Sequence, residues 1–263
     1  MASRIIKYVE KSSVIHKLDP RSKLILLFSV LASSTLAYSL AVALPILVFS
    51  FIIYFLAKLP WSATKNTWKF IVSIIVFLST LNYLFVAVLF RHGGKPLSLE
   101  TLLDSEILAR TFTPIVKLLS LAVATVTFIY TTPPYLYAPA LGQIGLNYKA
   151  AYVVQLGLRY FPEFIEEMKR TLEAQMARGY KPRGGGNIVA RIAALAPLIV
   201  PVTVSASLSI YDIADAMELR GFGENKCHTW FRKLKFSKND FLVFALSGIM
   251  ITAYTILFIA KPI

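Results

Sequence analysis

"LILLFSVLASSTLAYSLAVALPILVFSFIIYFLA", residues 24–57, runs for 34 positions without Asp, Glu, Lys, Arg or His. A bilayer core of roughly 30 Å takes about 20 apolar helical residues, so one span leaves many of these over and two full spans need about 40. The run therefore reads as a helical hairpin turning near Tyr38 to Ala41. Its helices are short, or borrow flanking residues, or sit where the bilayer thins. Outward from it, Phe70 to Phe90 is a second uncharged run, of 21 residues. The segment 111–130 carries only Lys117, and Phe241 to Ala260 carries no charge. Across the 263 residues, 56% are hydrophobic and 16% charged, and mean hydropathy is +0.63. Soluble domains carry about 25% charged residues, and one of this size could not cover several such helices.

The net charge of +14 suits nucleic acid or the cytoplasmic bias of membrane proteins, and its placement decides. Residues 1–23 hold six basic groups (Arg4, Lys7, Lys11, Lys17, Arg21, Lys23), and 58–69 hold three with no acid. Residues 131–237 hold thirteen against eight acids, while 91–110 are balanced at three and three. This is a topology signal, and it calls for no nucleic-acid partner. The basic, mixed N-terminus lacks the apolar core of a signal peptide and reads as retained and cytoplasmic. The lone Cys227 excludes an internal disulfide framework and a cysteine-based zinc site.

Asp19-Pro20 opens the first membrane helix, Asp as N-cap and Pro at the first helical position. Residues 70–90 cross outward, 91–110 form an external loop, and 111–130 return until Pro133-Pro134 stops them. Lys117, inside that fourth span, is either a functional intramembrane charge or a side chain that snorkels to the outer headgroups.

From Tyr152 to Arg178 the pattern turns amphipathic: Phe161, Phe164, Ile165, Met168, Leu172 and Met176 share one face, with Glu163, Glu166, Glu167, Lys169, Arg170 and Glu173 on the other. Such a helix, kinked near Pro162, lies on a membrane surface or on a partner. Gly184 to Gly186 break it, and a second helix runs from about Ile188 to Arg220. Its centre, Ile192 to Tyr211, is uncharged, but basic residues flank it on both sides. One crossing would put one cluster outside, so an interfacial helix packed on protein is expected. The resulting architecture is an all-α integral membrane protein with about five transmembrane helices and a cytoplasmic domain of long amphipathic helices. Its divisions are 1–132 (four spans), 133–237 (the cytoplasmic helices) and 238–263 (the last span).

Both long helices end alike: "EAQMARGY" at 173–180 and "DAMELRGF" at 215–222. Gly after a helix is a common stop, and a cation in the last turn faces the negative end of the helix dipole, worth about 0.3–1 kcal/mol. One copy is no more than that. Two copies on the cytoplasmic side suggest two similar sockets, and an Arg fork suits bidentate bonding to a carboxylate.

With "LDPRSKL" (18–24), "LRYFPEFIEEMKRTLEAQMARG" (158–179), "ALAPLIVPVTVSA" (194–206) and "ADAMELRGFG" (214–223), the chain resembles the transmembrane T component of energy-coupling factor (ECF) transporters over nearly its whole length. That family includes the membrane subunit of cobalt and nickel uptake systems. The resemblance implies that the two cytoplasmic helices are coupling helices whose Ala-Arg-Gly tips dock into two ATP-binding-cassette ATPases. It also implies a small membrane S component that binds the vitamin or metal, and a plasma-membrane location. Carried over, the ATPase-docking residues are Ala177, Arg178 and Gly179, and Leu219, Arg220 and Gly221, with Leu219 where the family has Ala.

No G-x-x-x-x-G-K-[ST] stretch occurs, and Gly184 to Gly186 read as a linker rather than a phosphate nest. His16, His92 and His228 are scattered, so no metal site is supported, and no cofactor is expected. A membrane enzyme would need a convergent acid, base or nucleophile in the spans, which offer only Lys117 and hydroxyls. A stand-alone secondary transporter would show repeated spans and broken helices at the midplane, whereas the repeat here is in the cytoplasmic helices.

Overall fold

The computed structural model describes residues 8–9, 11–92, 105–180, 188–225, 230 and 234–260, with side chains except at 86–92, 105–110 and 188–195. The Gly184–Gly186 linker, Cys227, His228 and most of the expected external loop lie outside the described residues.

Every element of regular structure among the described residues is helical. The α-helices are α1 (Pro20–Leu36), α2 (Leu40–Leu56), α3 (Trp61–His92), α4 (Ser105–Thr131), α5 (Tyr137–Ile144), α6 (Tyr148–Ala177), α7 (Ile188–Glu218) and α8 (Lys238–Ile259), with a 3₁₀ turn at Pro134–Leu136. They sort into two compact units. One holds α1–α4 and α8; the other holds the 3₁₀ turn, α5, α6, α7 and Trp230.

In the first unit the uncharged run forms most of α1, which borrows Pro20 to Lys23 from the preceding polar segment, and all of α2; each is a helix of 17 residues, about 26 Å long at 1.5 Å per residue. They are short, as the run length requires. The turn falls at 37–39, slightly earlier than Tyr38 to Ala41, because Ser39 is the N-cap of α2 and its Oγ accepts the Val42 N–H. α4 is the central helix, packed by α1, α2 and α3, while α8 packs on α1. Buried faces are lined by small residues. Ser22, Ser29 and Ser33 of α1, Ala43 and Ser50 of α2, Ser120, Ala124 and Thr127 of α4, and Ser247 of α8 are all buried. Small side chains let backbones approach where lipid supplies no hydrophobic drive, and the hydroxyls of Ser29, Ser50, Ser120 and Thr127 bond back to their own helix, as Ser50 does to the Ile46 carbonyl at 2.9 Å. Larger residues fill the layers between: Val30, Ile46 and Tyr254 in one cluster, and Tyr54, Trp68, Val123, Val126 and Tyr130 in another. Hydrogen bonds pin α3 at its start. Trp68 Nε1 donates to Tyr54 Oη at 3.1 Å, and Tyr130 Oη lies 2.7 Å from Thr67 Oγ1.

The motif at 18–24 is explained by one buried knot. Asp19 caps α1 and accepts the Arg21 N–H at 2.9 Å. Asp240, at the start of α8, accepts the Asp19 N–H at 2.9 Å and the Ser22 hydroxyl at 2.6 Å through Oδ1, and the Ser237 N–H at 2.7 Å through Oδ2. Lys23 Nζ donates to the Thr131 carbonyl at the end of α4 at 2.9 Å. Arg21 lies 4.8 Å from the centre of the Phe236 ring. Three helix ends are thereby tied together, and two acids are balanced by two cations.

By length and composition four helical stretches can cross a membrane: Trp61–Phe85, Thr111–Thr131, Ala196–Glu218 and Lys238–Ile259. The chain is a multi-pass, all-α membrane protein. Lys117 is half-buried on α4 and makes no ion pair or side-chain hydrogen bond among the described residues.

The second unit is built on α6 and α7. α6 continues through Pro162 as one 30-residue helix. Asn147 caps it, its side chain accepting the Lys149 N–H at 3.1 Å. Contacts step along the two helices in opposite directions. Gln175 Nε2 donates to the Pro197 carbonyl, Ser205 Oγ to Glu167 Oε1 at 3.2 Å, and the Tyr152 ring meets Phe222 just beyond α7. The pair is antiparallel.

Candidate functional site: two arginine tips on an antiparallel helix pair

α6 ends at Ala177, with Arg178 as its C-cap and Gly179 in the left-handed region at φ +89°. The Tyr180 N–H returns to the Gln175 carbonyl at 2.9 Å and the Gly179 N–H to the Met176 carbonyl at 3.0 Å. This pair of bonds is the Schellman motif. At the other helix, Gly221 sits at φ +72°; the Phe222 N–H returns to Met217 at 3.0 Å and the Gly221 N–H to Glu218 at 2.8 Å. The repeated letters are therefore one backbone device used twice, with Arg at the cap residue each time. Glycine is required at C′ because a Cβ is strained there. Gly179→Ala and Gly221→Ala are each expected to cost about 1–2 kcal/mol, read by thermal unfolding. The cost should be similar at the two sites, since nothing lies within 4 Å of a Cβ at Gly179 and at Gly221 it would meet only the flexible end of Glu224, 3.4 Å away.

Because the helices are antiparallel, their C-terminal tips stand at opposite ends of the pair. Phe222 lies beside Tyr152, 26 residues before Arg178, or ~39 Å along α6. Arg178 and Arg220 are both exposed, and neither makes an ion pair or side-chain hydrogen bond among the described residues. Ala177 and Gly179 are exposed beside Arg178. Leu219, standing in for the expected Ala, is 89% exposed, so the larger side chain meets no steric conflict within the chain.

The tips differ in what surrounds them. Phe222 packs edge-on against Tyr148 and Tyr152, and Tyr152 stacks on Trp230 at 5.3 Å. Tyr148 Oη donates to the Asn225 carbonyl at 3.0 Å. The aromatic after the second Arg-Gly thus clamps the loop to the start of α6. Sequence reading missed this cluster and Arg159 beside it; the i, i+4 spacing of Tyr148 and Tyr152 was the available signal. The six docking candidates do not meet in one place: the fold separates them into two trios.

Among the described residues no group of His, Cys, Asp and Glu is placed to hold a metal ion. His16 is used structurally, its ring nitrogens lying 2.7 Å from Ser13 Oγ and 2.9 Å from the Val9 carbonyl, and burial pushes its pKa below the ordinary value.

The profile of the CbiQ cobalt transport protein family matches residues 11–229. The chain belongs to this family. It is also 30% identical to the energy-coupling factor transporter transmembrane protein EcfT of Bacillus subtilis over 247 residues, covering 91% of this chain and 92% of that one. The EcfT protein of Heliobacterium modesticaldum is 31% identical over 265 residues (93% and 94% covered), and that of Streptococcus equi 26% over 249 residues (93% and 92%). As a CbiQ/EcfT-type protein the chain is the transmembrane component of an ECF transporter.

Proposed function

We propose that this EcfT-type chain is the coupling subunit of an ECF importer. Ala177-Arg178-Gly179 and Leu219-Arg220-Gly221 dock into two ATP-binding-cassette ATPases, and α6 and α7 pass ATPase closure to a small membrane S component. The cargo of that S component is a vitamin or a transition metal such as cobalt or nickel. One observation carries the reading: two arginines without partners among the described residues are presented by the same C-cap geometry at opposite ends of one helix pair. A helix stop needs the glycine; it does not need both arginines exposed.

The placement of α7 supports this reading. Its centre is apolar enough to span, yet it shares a compact unit with α6, whose charged face cannot enter lipid. We therefore place both helices on the cytoplasmic side of the plasma membrane, with five spans (α1–α4 and α8) and the N-terminus inside. Ile199, Val200, Val204, Leu208 and Tyr211 of α7 are exposed in a band at helical spacing and form an apolar platform for the S component.

The test is co-purification. The tagged chain, co-expressed with its cognate ATPases and an S component, is expected to recover two ATPase subunits per chain. Recovery of none would sink the coupling reading and favour a stand-alone secondary transporter.

A further inference from the structure

We propose that the cleft between the start of α6 and the end of α7 is a further part of the ATPase contact, seating a carboxylate-bearing segment of the ATPase between Arg159 and Arg220. The inference rests on the docking role proposed above.

The cleft has a volume of about 620 Å³. One wall is a single face of α6, with Tyr152, Leu156 and Arg159; the other is a single face of α7, with Ile213, Met217 and Arg220. Phe222 closes the end nearest the tip. The described lining contains two arginines and no Asp or Glu. The Arg159 guanidinium lies 5.5 Å from the centre of the Tyr160 ring and makes no ion pair among the described residues. Its acidic neighbours Glu163, Glu167 and Asp212 line the adjoining cleft of about 400 Å³ instead. Charge along the groove therefore changes at Arg159: acid lines the far side, the lining on the side of the tip carries arginine without acid, and Glu224 stands outside that lining, beside Gly221.

An apolar and aromatic floor between cationic walls is the anatomy of an interface hot spot: an apolar anchor is buried and its flanking charge is paired at the rim. A bare phosphate would leave Leu156, Ile213 and Met217 unused. Arg220 belongs to the tip and to the cleft at once, so a protein that grips the tip already has a surface over the cleft. The occupant that uses both features is a segment of that protein carrying an apolar side chain beside Asp or Glu. The second tip then binds through a pocket as well as a prong.

Two measurements test this on the full complex. p-Benzoylphenylalanine at the position of Leu156 is expected on illumination to cross-link to an ATPase, at a peptide containing Asp or Glu. A cross-link to lipid alone, to a second copy of this chain, or to nothing would overturn the proposal. Independently, Arg159→Glu is expected to weaken ATPase binding about tenfold or more, with Arg159→Lys closer to wild type. Arg159 is exposed, so the variant should keep its helix content, checked by circular dichroism. Unchanged ATPase affinity in Arg159→Glu would overturn the cleft contact. If Arg220→Ala releases ATPase while Arg159→Glu does not, only the cleft inference fails. If neither arginine tip matters, the docking reading itself fails.

Discussion

Arg178→Ala combined with Arg220→Ala is expected to abolish recovery of both ATPases while leaving the chain folded. The magnitudes separate the two roles an arginine can have here. As a cation facing a helix dipole each is worth about 0.3–1 kcal/mol, felt as a small loss of stability. As a desolvated, hydrogen-bonded anchor each removes roughly 2–5 kcal/mol of docking, about 30-fold to several thousand-fold in affinity. The backbone of each tip is held by glycine and by its own carbonyls, so alanine at the cap residue leaves the Schellman bonds in place. Circular dichroism should be unchanged as binding disappears. Retention of both ATPases by the double variant would reduce the arginines to helix-end cations. Each single variant should lose one ATPase, because the tips lie ~39 Å apart and cannot enter one socket.

Asp240→Ala is expected to be the most destabilising single substitution in the membrane unit. The carboxylate is 1% exposed and accepts from the Asp19 N–H, the Ser22 hydroxyl and the Ser237 N–H. Alanine leaves the Asp19 N–H and the Ser22 hydroxyl buried without that acceptor and leaves Lys23, 5% exposed, with one compensating acid fewer. Breaking a buried charged network from one side costs about 3–5 kcal/mol. The check is thermal unfolding in detergent, where the transition should fall by about 10 °C. Ser22→Ala removes one hydroxyl and should cost about 1–2 kcal/mol. A transition unmoved by Asp240→Ala would mean that water reaches the knot and that α1 and α8 are held by packing alone.

Much of the architecture is legible without coordinates because it follows from the solvent. In lipid every backbone group must bond internally, so a long uncharged run is helical whatever its neighbours are. That is why residues 24–57 yield two short helices and why segments 70–90 and 111–130 fall inside α3 and α4, and 241–260 inside α8 up to its cap residue Ala260. The glycine stops are legible because φ above zero excludes other residues cheaply. Asp19 is legible as an N-cap because capping acts over three residues.

Non-local pairing is not legible in the same way. Nothing in "LDPRSKL" says that the acceptor for Ser22 lies 218 residues later at Asp240. Nor does "RGF" say that its aromatic will rest on Tyr148 and Tyr152. The composition of Ala196–Glu218 admits a span as readily as a surface helix, since hydropathy measures transfer and not what a helix packs against. The sequence by itself determined an all-α membrane chain and two equivalent arginine caps, because helix formation in lipid and left-handed glycine are local in origin. Only the tertiary structure decided that the caps stand at opposite ends of an antiparallel pair, that one of them adjoins a cationic cleft, and that the starts of α1 and α8 share one carboxylate while Lys23 ties in the end of α4. Those facts depend on which faces meet, and that choice is made by packing summed over the whole chain.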